Sequence, residues 1–555
     1  TRTAKLEIID HEGLPVTSKV DAIISPFNKS DMPHPDVHLE PSLVTTSTPE
    51  IIIRVSNASS SEIVLERGTL IGAVELLLDN AEIAELEWTK DTSSEIVSCP
   101  PCPPEVRKRI ESEAVIGSKD PVVRQKYIDL LAKYHTAISS HNLDFGHFKF
   151  AKHSIKLKNR NPIHRKQYPI PHAHRAEISA HLSKLLQAGV ISKCKDSSFN
   201  NPFFVIRKKD NVSLRLLNDL RALNKQSLQD KYIFNDIQSC IDAVGKAKAR
   251  IFSIIDVTAG YYNVSLADSS KPLTAFTLPD GMSIRDSKGN RISGRLMYDL
   301  LTMGLHGSGS SFAKIMAYVL RDIDSLFTYL DDLLGFCSDD ESMLRVLELI
   351  LQRLVRYNIK FSLKKAKFGM ERVEYLGHEF DAAGVKPSAD NVKVFTDIPP
   401  PRTVPQVKSF CGVANFFRHY IKNFSRISSH LSKLTRKDSK WKSGLLPPAA
   451  MKAFKQLKTA IATRPTLRYP RLDKTFELHT DACMTTSDGG GGGLGAVLVQ
   501  RDSFGNPHPV CFASRSLHKH EQNYSTMALE CAAIHFGIIK FQTYLEGRRF
   551  DVFTD

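Results

Sequence analysis

Hydrophobic and polar positions change rhythm several times along the chain. Up to about Trp88 short β-branched runs dominate: Ile51-Ile52-Ile53-Arg54-Val55, then Ile63-Val64-Leu65 leading into a turn at Gly68 and on to Leu70 through Leu78. Runs of this kind, bounded by turn residues, predict strands. Ser98 to Pro104, rich in Pro and Cys, reads as a boundary, and the helical stretch around Val122 to Tyr134 as a connector. From about Phe148 to Asp390 the pattern mixes α and β. It becomes helical and basic from Thr403 and mixed again from Thr475.

Two helices can be placed from their caps and apolar spacing. Ser338 with Glu341 has the spacing of a capping box, and Leu344, Leu347, Leu351 and Leu354 recur at helical period, predicting a helix that ends near Asn358. Thr403 with Gln406 forms a second box. Val407, Phe410, Ala414, Phe417 and Ile421 then line one apolar face, and Lys408, Arg418 and Lys422 are expected on the exposed one. The low-complexity stretch is Gly489 to Gly493.

Composition narrows the class. The 555 residues suffice for several domains, and 42% apolar with 24% charged residues is the make-up of a globular protein. No run of eighteen apolar residues occurs and the first residues lack a signal-peptide pattern, so no membrane partner is expected. Nine scattered cysteines include one CxxC, Cys99 and Cys102, with no second pair or His pair to complete a zinc site. A linker thiol pair in a reducing, intracellular setting is the expectation. The net charge of +15 is uneven: Pro399 to Lys442 holds ten Lys or Arg against the single acid Asp438. That stretch fits either a solvated face or a polyanionic partner.

The chemistry lies in acids. Tyr329-Leu330-Asp331-Asp332 stands between apolar Leu326-Phe327 and Leu333 to Phe336, the pattern of a hairpin with paired carboxylates at its turn. Adjacent like charges in an apolar setting are costly, and a divalent cation relieves that cost. An ordinary surface turn has the same spelling. A second element, the short strand Phe252 to Asp256 followed by Ala259-Gly260-Tyr261, adds a third acid. Three such acids on neighbouring strands can hold two metal ions roughly 4 Å apart.

The pairing of Phe252–Asp256–Tyr261 with Tyr329–Asp332 resembles the palm of reverse transcriptases. Asn201 to Asp210, Arg215 to Lys225, Tyr375 to His378 and Phe410 to Tyr420 resemble, in order and spacing, gypsy-type LTR retrotransposon polyproteins over roughly residues 150 to 555. The resemblance implies an α+β right-hand polymerase of fingers, palm and thumb, with an N-terminal β-rich segment and a C-terminal, incomplete RNase H-like α/β domain. The implied boundaries are 1–95, 96–147 (connector), 148–390 (fingers and palm), 391–470 (thumb) and 471–555 (RNase H). Asp256, Asp331 and Asp332 would be catalytic. Lys208, Arg215, Tyr261 and Met303 would contact the incoming dNTP. Tyr261 would discriminate against a ribose 2′-hydroxyl, although a core tyrosine fits the same position. Tyr375, Leu376, Gly377 and His378 would form the primer grip, and Lys408, Arg418 and Lys422 would follow the template–primer backbone.

The likeness departs at Thr302-Met303-Gly304-Leu305 and Gly307-Ser308-Gly309, where the family carries prolines and an aromatic residue. An insertion around Asp286 to Asn290 reads as an extended hairpin. Farther on, Asp481, Glu530 and Asp555 resemble RNase H metal ligands, and a fourth acid of the family has no counterpart here. The implied cofactor is Mg²⁺, two ions in each site, with Mn²⁺ as an alternative. Implied partners are RNA and DNA template–primers, RNA:DNA hybrids, dNTPs, a tRNA or other RNA primer, and a second copy in a homodimer with one silent subunit. Cytoplasmic virus-like particles, then a nuclear stage, are the implied location. Residues 1 to about 95 show no Asp-Ser/Thr-Gly protease triplet. A reading of another class is a degenerate polymerase kept as a scaffold, which loss of the palm acids would signal; they remain.

Overall fold

The computed structural model describes residues 86–89 and 99–554, apart from 160, 208–213, 229–231, 233 and 485–491. It describes as backbone only 207, 214, 215 and the strands at 21–26, 37–39, 42–45, 55–57 and 72–77. Asp21–Pro26 pairs antiparallel with both Ser42–Thr45 and Gly72–Leu77, and Val37–Leu39 with Val55–Asn57. The runs Ile51–Arg54 and Ile63–Leu65 and the turn at Gly68 lie outside the described residues. The connector forms two helices, Pro104–Glu113 and Pro121–Lys133.

The next strands are β1 (Phe203–Arg207) and β2 (Leu214–Asn218), an antiparallel pair. After helix α1 (Ile237–Lys246) comes β3 (Ile251–Asp256). Its β-branched and aromatic residues suit a strand covered on both faces: Phe252 and Ser253 are buried, and so is Ile255. Helix α2 (Ser308–Val319) precedes a hairpin of β4 (Leu326–Tyr329) and β5 (Asp332–Cys337). Helix α3 (Asp340–Arg356) and β6 (Lys367–Met370) follow. The central sheet runs β4-β5-β3-β6 and ends on Val115–Ile116, so the connector supplies its last strand.

Helix α3 starts one residue later than its capping-box spelling predicts. Asp339, not Ser338, is the N-cap, its carboxylate accepting from Ser342 N at 2.8 Å while Ser338 Oγ donates to it. An ionised carboxylate at a helix N-terminus is the stronger acceptor and also meets the helix dipole. Met343, Leu347, Ile350, Leu351 and Leu354 bury the helix against the sheet.

Past a meander of β7 (Arg372–Tyr375), β8 (His378–Asp381) and β9 (Gly384–Pro387), the chain is helical: α4 (Ala389–Asp397), α5 (Val404–Phe416), α6 (Phe424–Leu434) and α7 (Pro448–Ala462). Thr403 caps α5 by accepting from Gln406 N, and Gln406 Oε1 accepts from Arg402 N. Helix α5 stops at Phe416, yet Phe417 and Ile421 remain buried beyond it. Rings from this region, Phe395, Phe410, Phe417 and Phe454, join Phe252, Phe336 and Phe380 of the sheets in one hydrophobic core. Truncating any such ring to alanine costs roughly 3–5 kcal/mol.

The last module is a sheet ordered β12-β11-β10-β13, from β10 (Phe476–Cys483), β11 (Gly493–Arg501), β12 (Pro507–Ser516) and β13 (Phe550–Phe553), with α8 (Thr526–Lys540) on one face. Among the described residues no helix is long and apolar enough to cross a membrane. The insertion at Asp286 to Asn290 closes a small hairpin between Ile284–Arg285 and Arg291–Ile292. Asp286 caps it by accepting from Lys288 N and Asn290 N.

Candidate active site

Residues Leu330 and Asp331 connect β4 to β5, and Leu330 takes a left-handed φ of 55°. A branched non-glycine residue holds such a conformation at a cost of about 1–3 kcal/mol, and only where its surroundings enforce it. Here β3 does so: Val257 N donates to Asp331 O at 2.9 Å, and Asp256 stands directly opposite Asp332 in the β3–β5 register. Two carboxylates opposed across strands repel. Burial, followed by the charges of Asp331 and Asp256, pushes the Asp332 carboxyl up to about 6. Burial raises Asp331 too, with Asp256 adding to the effect.

Lys365, from the loop after α3, offsets part of this charge. Its Nζ lies 3.0 and 3.2 Å from the two Asp256 oxygens. Among the described residues no three His, Cys, Asp or Glu side chains are drawn together at metal-binding distance. The donor chemistry nevertheless fits a divalent ion: all-oxygen, half-buried, and with more negative charge than one ammonium neutralises.

A cleft of about 290 Å³ opens beside these acids, lined by Asp256, Asp331, Tyr261, Met303, Phe312 and Lys365. Tyr261 lies in a 3₁₀ turn, edge-on to Phe312 with ring centroids 5.8 Å apart. Gly260 permits that turn, since a Cβ there would come within 3.0 Å of the Phe312 ring and 3.3 Å of Asp331. Asn263 clamps it from below: its amide donates to Thr258 O and Gly260 O and accepts from Gly146 N. Met303 is exposed at the rim, its loop held by Asn224, which donates to Gly304 O and accepts from His306 N. Asp219 is fully buried and paired with Arg221, hence structural. Lys208 and the side chain of Arg215 lie outside the described residues; the Arg215 backbone pairs with Ile206.

Tyr375 to His378 close the β7–β8 hairpin, with Leu376 and Gly377 both left-handed (φ 48° and 79°). A side chain at position 377 would collide with the Asn391 amide, so glycine is required. Of the four residues expected in a primer grip, Leu376 and Gly377 are part-exposed and Tyr375 and His378 are buried. Tyr375 is buried and donates to Asp332 O at 2.9 Å. His378 is buried 2.6 Å from Tyr420 Oη, stacked on that ring, and burial lowers its pKa to about 4.

Lys408 and Lys422 are exposed on the helical region. Arg418 is not a free surface cation: it donates to Ser514 O on β12 at 3.0 Å, satisfying a carbonyl of the last module. In that module Asp481 lies two residues before the end of β10 and Glu530 rises from α8, accepting from Ala482 N at 3.3 Å and Thr554 Oγ1 at 3.0 Å. Asp555 lies outside the described residues. Asp481 Oδ2 accepts from Asn423 Nδ2, just before α6, at 2.8 Å. Lys365 and Asn423 were not singled out from sequence, because each acts on a partner distant along the chain, as Asn263 does through Gly146 N.

Residues 206–380 match the family described as reverse transcriptase (RNA-dependent DNA polymerase), and residues 447–552 the RNase H-like domain found in reverse transcriptase. The chain is 31% identical over 437 residues to the retrovirus-related Pol polyprotein from transposon 412 of Drosophila melanogaster, covering 78% of this chain and 33% of that protein. To the polyprotein from transposon gypsy of the same organism it is 28% identical over 450 residues, covering 78% and 41%. The chain thus spans well under half the length of these curated relatives. Its fold is similar to the foamy viral protease-reverse transcriptase dRH in complex with ds DNA: TM-score 0.68, 19% identity, 90% of this chain and 82% of that one. The foamy viral enzyme in complex with RNA/DNA hybrid superposes with TM-score 0.64 and 20% identity, covering 84% and 59%.

Proposed function

Because the chain carries the reverse transcriptase and RNase H-like domains of a Pol polyprotein, with gypsy-type and related transposon polyproteins as its relatives, we propose that it is an RNA-directed DNA polymerase with an associated ribonuclease H. It would copy RNA and DNA templates from a primer 3′-hydroxyl. The observation that carries this reading is the Asp256–Asp332 pairing with Asp331 in the adjoining turn, beside a cleft of about 290 Å³. Asp256, Asp331 and Asp332 would hold divalent ions, Mg²⁺ by donor type, which activate the hydroxyl and offset charge on the transferring phosphoryl group.

The remaining roles belong to protein groups. Lys365 pairs with Asp256 and holds it beside the cleft. Tyr261 presents a rigid ring where the nucleotide sugar would lie, and Met303 faces it across the rim. Lys208 and Arg215 would neutralise the triphosphate. Tyr375 ties the hairpin that would seat the primer end to the carboxylate turn. The thumb, residues 391–470, would follow the duplex backbone through Lys408 and Lys422 without reading its sequence. Asp481, Glu530 and Asp555 would serve the RNase H reaction by the same metal chemistry.

The expected setting is retrotransposon replication in cytoplasmic virus-like particles, with a later nuclear stage, a tRNA or other RNA primer, and a homodimer with one silent copy. Primer extension on poly(rA)/oligo(dT), with and without Mg²⁺, tests the polymerase reading. Asp331→Asn should lower extension by several orders of magnitude, since metal ions contribute several kcal/mol of transition-state stabilisation. Extension by that variant near the wild-type rate would overturn the assignment.

A further inference from the structure

We propose that the RNase H-like module is docked in a hydrolytically silent pose, with Asp481 capped by Asn423 of the thumb, and that an RNA:DNA hybrid must lift it off before RNA can be cut. This rests on the reading of Asp481 as an RNase H carboxylate. Alternation along β10 sets the geometry. Leu478 faces Gly537 of α8, so Asp481, three residues on, projects from the opposite face of the sheet. That face is covered by α6 and the turn before it.

Asn423 is the capping residue. Its left-handed backbone (φ 54°) turns the amide onto Asp481 Oδ2, and its oxygen occupies the space that a side chain at position 495 would need, which Gly495 leaves open. The room left beside Asp481, bounded by Asn423, Arg426, Gly493, Leu494 and Ser514, is about 10 Å³. That is at or below the space one water requires. On this side of Asp481 the thumb leaves no space for a hydrated divalent ion.

Most of the docking contacts are hydrogen bonds, which suits a reversible latch. Ser425 N donates to Ser514 Oγ at 2.9 Å, Ser425 Oγ to Ser514 O at 2.8 Å, and Arg418 to the same carbonyl at 3.0 Å. At the far end Tyr544 donates to Asp242 of α1 at 2.7 Å and accepts from Gln238. The apolar interior of the module is separate from that of the palm and thumb, with Phe512 the part-buried residue bridging them. Interfaces of this composition open without unfolding either side. Closed, the latch would protect freshly copied template from premature cutting. Open, it would uncover Asp481.

A cysteine pair reads the latch without relying on catalysis. The Ser425 and Ser514 hydroxyl oxygens are 3.1 Å apart, so S425C/S514C should cross-link under mild oxidation in the free protein, with each single variant as control. Adding an RNA:DNA hybrid with Mg²⁺ should slow cross-linking several-fold; an unchanged rate would overturn the proposal. Once cross-linked, the chain should still extend primers but cut hybrid RNA only after reduction. N423G, which keeps the left-handed turn and removes the amide, should raise hybrid cleavage several-fold. Lower cleavage by N423G would mean that Asn423 positions Asp481 for catalysis and would also overturn it. D481N separates the two readings: undiminished cleavage by D481N would remove the RNase H assignment itself, whereas loss of cleavage by D481N with a hybrid-insensitive cross-link would remove only the latch.

Discussion

The Tyr375 hydroxyl donates to the backbone carbonyl of Asp332 at 2.9 Å. A residue of the β7–β8 hairpin thereby fixes the position of a metal-binding candidate 43 residues earlier. Tyr375→Phe removes that bond while keeping the ring. A neutral hydrogen bond is worth about 0.5–1.5 kcal/mol, so kcat for primer extension should fall by about 2- to 12-fold. The KM for dNTP should stay level. A change confined to KM would show that Tyr375 acts on nucleotide binding instead.

Charge repulsion among the palm acids should appear in stability. Asp332 carries a folded-state pKa of about 6, above its ordinary value, through burial and its acidic neighbours. The protonated form is therefore the favoured one, and its contribution is lost as pH rises through about 6. Without metal, Asp332→Asn should melt higher than wild type at pH 7.5, with the gap narrowing at pH 5. Mg²⁺ should raise the wild-type midpoint at pH 7.5 far more than at pH 5. Melting curves that superpose at both values would refute the charge argument.

Sugar selection should depend on Tyr261. Its ring lines the cleft next to Asp331 and is braced by Phe312. Tyr261→Ala should raise ribonucleotide incorporation relative to dNTP while extension persists. The ratio of the two efficiencies is the measurement, and a ratio equal to wild type would count against this role.

Template grip should follow the cations that remain exposed. Replacing Lys408 and Lys422 together should flatten the dependence of log K on log salt by about 0.9 per lost phosphate contact. On duplex DNA, with the module still docked, Arg418→Ala should leave that slope alone, since its guanidinium is engaged by Ser514. A flatter slope for Arg418→Ala would return it to the nucleic-acid face.

What could be read from the chain was mostly local. The Tyr329–Asp332 turn, the strand ending in Asp256 and the Thr403 cap each depend on residues within a few positions, so spelling and geometry agree. Ser338 failed as a cap because the next residue, Asp339, is the better acceptor, a competition that pattern matching does not weigh. Exposure of Arg418 depended on a strand 96 residues downstream, and the Lys365–Asp256 pair joins residues 109 apart. Likewise His378 is spelled like a surface turn residue but is buried because Tyr420 and Phe416 fold over it. Such facts arise only when distant elements meet.

The aromatic core that Phe252 and Phe336 share with Phe395, Phe410 and Phe454 bears on how such elements exchange parts. Backbone amides of β3 and α5 should open to solvent together, as one cooperative unit, rather than as a stable palm with a separately melting appendage. Recombination between related elements would then tolerate a crossover near Thr475, between modules with separate interiors, far better than one near Asp397, which would leave half of a jointly built interior without its counterpart.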